Sequence, residues 1–122
     1  MQRAAQAYGK VAKQTLAPRE LEANLLLKAA AQFQAISETW DHGKAELNEA
    51  LLFNRKLWTI FLTSVTSEEN SLPIEVRQNV ANLGLFVLKQ TIAMAGDPQP
   101  ERLGSLININ RQIAAGLLGR AA

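Results

Sequence analysis

With 122 residues, 48% of them hydrophobic and 20% charged, the chain reads as one globular domain over residues 1–122, long enough for one core and too apolar for disorder. Cysteine is absent, which excludes disulfides and thiol chemistry. The net charge of +2 hides four bases and no acid in residues 1–19, four bases against nine acids in 20–75, and five against two beyond. Such a layout could steer an acidic partner or nucleic acid to one end, but spaced charges without a denser basic run read first as a solvated face.

No apolar run approaches the ~18 residues of a membrane span, and the N-terminus lacks the apolar core of a secretory signal. The expectation is a cytoplasmic protein.

Residues 2–15 can form a helix with Ala4, Ala5, Tyr8, Val11, Ala12 and Leu16 to one side. The stripe is thin and Gly9 costs about 1 kcal/mol relative to alanine, so this segment, residues 1–16, is expected to be a loosely docked arm or to order on a partner. A second helix should begin at Pro18, with Glu20 and Glu22 at its positive end. Its stripe is Leu21, Leu25, Ala29, Phe33, Ile36 and Trp40, with Leu26 and Ala30 beside it, and Leu27 points elsewhere as a candidate second contact. Asp41-His42-Gly43 is expected to break the helix, with Gly43 as its C-terminal stop.

The next helix, from about Lys44 to Val65, is the richest in large apolar residues. Leu47, Leu51, Trp58, Phe61, Leu62 and Val65 share one face, and Ala50, Phe53, Leu57 and Ile60 widen it to about 200° at 100° per residue. An arc that wide must be covered on two sides. Asn54 sits inside it, and Leu52 is the one apolar residue in the polar sector.

A polar loop, 66–72, leads to Pro73 and another helix. One face of that helix carries Val76, Val80, Leu83, Val87 and Met94, and the nearly opposite face carries Ile74, Ala81, Leu85, Leu88 and Ile92. Such a helix is either sandwiched or has one face free for binding. Gly96-Asp97-Pro98-Gln99-Pro100 separates it from a last helix with the stripe Leu103, Leu106, Ile107, Ile113, Ala114, Leu117 and Leu118, and Asn110 lies near the centre of that stripe. No period-two alternation long enough for a strand occurs. The expected fold is all-α, a helical bundle of four main helices plus a weak N-terminal helix.

The catalytic inventory is nearly empty. His42 is the only histidine and has no ligand set with it, and Glu46 and Glu49 lack the second carboxylate-histidine pair of a di-metal site. No enzyme activity, metal or cofactor is expected. The aromatic residues Phe33, Phe53, Trp58 and Phe61 could be stacking platforms for single-stranded nucleic acid, but their helical spacing assigns them to the core. Asn54 and Asn110 are expected to bond each other or backbone groups and so set register between their helices, unless a bundle edge lets them reach water.

Several blocks together resemble the FlaF family of flagellar biosynthesis proteins. They are Ala4-Ala5-Gln6-Ala7-Tyr8, Pro18-Arg19-Glu20-Leu21-Glu22-Ala23, Leu26-Leu27-Lys28-Ala29-Ala30, the run from Ala50 to Phe61, Leu72-Pro73, the run from Arg77 to Val87, and the run from Leu106 to Leu117. The resemblance implies a small cytoplasmic factor, without catalytic motif, acting with flagellin and with FlbT, a regulator associated with flagellin messenger RNA. Three readings stay open: a flagellin export chaperone, an RNA-associated regulator of flagellin synthesis, and a homo-oligomeric interaction module. Direct RNA binding by this chain alone is not expected, given its acidic middle. The candidate partner-binding residues are Ile74, Leu85, Leu88 and Ile92, with Tyr8, Val11 and Leu16 as a displaceable cover.

Overall fold

The computed structural model describes residues 18–119, apart from the side chains at 18, 43 and 44. The helix read at residues 2–15 and the tail beyond Gly119 lie outside them. Four helices account for 87% of the described residues, with no strand among them. They are α1 (Pro18–Glu38), α2 (Trp40–Thr66), α3 (Ile74–Gly96) and α4 (Pro100–Leu117).

Two starts follow the proline signals: α3 begins directly after Pro73, and α4 has Pro100 at its first position with Glu101 in the first turn. The break between α1 and α2 corrects the sequence reading. It falls at Thr39, whose backbone (φ −120°, ψ 41°) leaves the helix for a single residue, and Gly43 lies inside the first turns of α2. Thr39 closes α1 by donating its N–H to the Ala35 and Ile36 carbonyls and its hydroxyl to Ala35 O, while its own carbonyl accepts from His42 N–H and starts α2. Asp41 then sits at the positive end of a new helix instead of after an old one, which favours that placement. Trp40 opens α2 and packs half-buried against the core.

The helices form a ring in which α1 packs most extensively on α4, α2 lies between α1 and α3, and α3 touches α4 only lightly. Ring neighbours run antiparallel. Arg19 at the start of α1 reaches Ser71 just past α2, and Arg77 at the start of α3 donates to Val65 O near the end of α2 (2.9 Å). Arg102 of α4 donates to Ala93 O and Asp97 O at the end of α3. Gly119, with φ 71°, takes the left-handed conformation that ends α4, and its N–H bonds to Gly116 O.

The stripes meet in one cluster centred on Trp58, Phe33, Leu26, Met94, Leu103 and Leu106, all fully buried. Two placements differ from the pattern: Ile60, read as the edge of the α2 arc, is 63% exposed, and Val76, read on the core face of α3, is exposed near the start of that helix. Leu27, read as lying off the α1 stripe, is exposed on α1. A four-helix ring covers each helix over less than the 200° the α2 sequence offers, so the arc's margin faces water. No helix among the described residues is long and apolar enough to cross a membrane.

Candidate partner-binding face

The two faces of α3 have different fates. Val87 and Met94 are buried and Val80 and Leu83 pack against the core. The opposite side is uncovered: Ile74, Leu85 and Ile92 are 61%, 57% and 70% exposed, and Leu88 and Ala81 are half-buried. The burial of three such side chains would stabilise a complex by several kcal/mol in gross terms, at roughly 1.5–3 kcal/mol each. Isolated exposed apolar residues are ordinary, whereas a row of them along one helix is a candidate interaction surface.

The stripe is held close to α2. Gly84 faces Leu62, and a Cβ at position 84 would lie 2.7 Å from Leu62 Cδ2 and 2.9 Å from Leu62 Cγ, so a larger residue there would have to displace the Leu62 side chain. Further along, Asn48, Leu51, Leu52 and Arg55 of α2 and Thr91, Ile92 and Ala95 of α3 line an open, mainly apolar groove of about 370 Å³. Leu52, the apolar residue in the polar sector of α2, is exposed here beside Ile92. That sequence signal was present in its isolation, but its meaning depends on which helix lies next to it.

In the core, the two asparagines are bonded to each other. Asn110 Nδ2 donates to Asn54 Oδ1 (2.7 Å), and Trp58 Nε1 donates to Asn110 Oδ1 (2.9 Å). Both amides are fully buried. Indole N–H can only donate, which orients the Asn110 amide and through it that of Asn54. Trp58 is the member the sequence reading missed, although a buried tryptophan asks for an acceptor. Asn54 Nδ2 has no partner.

The remaining candidates do not assemble. His42 is exposed in the first turn of α2, not in an interhelical turn, and Glu46 and Glu49 are exposed beside an open cavity of about 510 Å³ with Gln32 and Phe53. No group of three or more His, Asp or Glu side chains that could hold a metal occurs among the described residues. Phe33, Trp58 and Phe61 are buried, and half-buried Phe53 has Lys28 Nζ over its ring at 5.5 Å, so none offers a free face to a base. Tyr8, Val11 and Leu16, like Arg3, Lys10 and Lys13, lie outside the described residues.

No curated protein and no solved structure gives a significant match to the chain. A family model described as flagellar protein FlaF matches residues 4–117, a stretch that takes in all four helices and the uncovered face of α3. The chain therefore belongs to the FlaF family of flagellar proteins.

Proposed function

We propose that the chain is a non-enzymatic cytoplasmic factor that binds flagellin as an export chaperone, acting together with FlbT to promote flagellin production and secretion. The observation that supports this reading is the uncovered stripe Ile74–Leu85–Leu88–Ile92, extended by Leu52 over the groove between α2 and α3. Flagellin before assembly presents long amphipathic helices, and an apolar helix laid into such a groove hides the surface that would otherwise polymerise. Membership of a flagellar family supports the choice of partner.

The test is binding of purified chain to monomeric flagellin, with and without ribonuclease. Leu85→Ser combined with Leu88→Ser should weaken binding by about tenfold or more while circular dichroism stays that of the wild type, since each lost anchor is worth roughly 1 kcal/mol or more. Undiminished binding by this variant removes the face from the site. No binding by the wild type removes the reading, and binding abolished by ribonuclease transfers it to an RNA-associated complex.

A further inference from the structure

We propose that the outer face of α3 is also an interface between two copies of this chain, paired antiparallel through a coiled-coil seam. Ile74, Gln78, Ala81, Leu85, Leu88, Ile92 and Ala95 follow one another at alternating steps of four and three residues, the a/d spacing of such a seam. All seven are exposed or half-buried, on the side of α3 away from Val87 and Met94. The seam spans about 30 Å at 1.5 Å per residue. A surface helix serving only its own core needs one apolar stripe, and α3 carries this second one on its outer side.

The order of charge beside the seam selects a second copy as its occupant. On the flank away from α2 lie Glu75 at one end, Asn82 in the middle and Lys89 towards the other end. The ion pair among the described residues joins Arg102 and Asp97 and involves neither Glu75 nor Lys89. A two-fold axis near Asn82 sets Ile74 opposite Ile92 of the second copy and Ala81 opposite Leu85 of the second copy. Glu75 then meets Lys89 of the second copy, and symmetry makes that pair twice. The two Asn82 amides face each other, and an amide both donates and accepts.

The neighbouring register, with Leu85 opposite Leu88, leaves Ile74 and Glu75 without counterparts. The chain's own first seventeen residues are a poorer cover, since Arg3, Lys10 and Lys13 with no acid would face Lys89 and Arg55. The inference concerns the face assigned above to flagellin but stands on spacing and charge order, independently of that reading. The two occupants exclude one another, so self-association would shield the apolar stripe until a partner helix displaces the second copy.

Sedimentation equilibrium of the full chain over a wide concentration range tests this. The wild type should show a monomer–dimer equilibrium. Glu75→Lys alone and Lys89→Glu alone should each weaken it by about tenfold, since two attractive pairs become repulsive ones, and the combined variant should restore it. Both positions are exposed, so helicity should be unchanged throughout. A monomer at every concentration, a dimer indifferent to the single reversals, or a combined variant without recovery overturns the proposal. Flagellin binding by the wild type is measured alongside: binding without a dimer defeats only this proposal, and a dimer without binding defeats only the earlier reading.

Discussion

Asn110 of α4 and Asn54 of α2 bond across the diagonal of the bundle, Nδ2 to Oδ1 at 2.7 Å, where the two helices make little backbone contact. The chain Trp58–Asn110–Asn54 therefore ties together two helices that the ring of neighbours leaves to side chains alone.

The two asparagines should differ in what their loss costs. Asn110→Leu strands both the Trp58 N–H and the Asn54 amide in the core, whereas Asn54→Leu strands one Asn110 N–H and removes the already unpartnered Asn54 Nδ2. At about 1–3 kcal/mol per stranded group, urea denaturation should show Asn110→Leu to be less stable than Asn54→Leu by roughly 1–3 kcal/mol. Equal losses, or the reverse order, would disprove the directionality argued from Trp58. If the amides set register, both variants should also lose dispersion in their amide NMR spectra.

Gly84→Ala puts a methyl within 3 Å of both Leu62 Cδ2 and Leu62 Cγ. Alanine gains about 1 kcal/mol of helix propensity, but overpacking costs about 1–3 kcal/mol. We expect a net loss of stability that is relieved when Leu62→Ala is added, so that the two substitutions together cost less than their sum. Strict additivity in thermal denaturation would refute close packing at this point.

Ile92→Ser removes an apolar side chain that is 70% exposed, so its effect on folding should stay within about ±0.5 kcal/mol. Met94→Ser, two residues on and fully buried, should cost about 2–5 kcal/mol. Comparable losses at the two positions, measured by chemical denaturation, would mean that the outer face of α3 is core.

Glu22, half-buried at the end of the bundle with Phe61, Val65, Ile113 and Leu117, has its carboxyl raised above the usual 4.5 by burial, against the opposing attraction of Arg19. The folded state thus holds this proton more tightly than the unfolded chain, and the group's contribution to stability falls as pH rises from 4.5 through the raised value. Glu22→Gln should melt higher than the wild type at neutral pH, and the two should converge below pH 4.5. A gap that widens in acid would reverse the sign and reject burial as the dominant cause.

Much of this bundle was legible because burial and helical period leave direct marks on a sequence. The stripes through Phe33, Trp58 and Leu106 named the core, the prolines at 73 and 100 named two helix starts, and two amides inside apolar stripes pointed to each other. Tertiary structure decided what depends on neighbours. The α1–α2 break fell at Thr39 because one non-helical residue suffices there, whereas glycine at position 43 permits a stop without requiring one. Ile60 and Ile74 look as apolar as Leu57 and Val87 along the chain, and only the ring order, with α3 flanked closely by α2 and lightly by α4, determines which are covered. The two faces of α3 are written in its period. Which of them water reaches was decided by packing, because burial is a property of the facing helix and not of the residue itself.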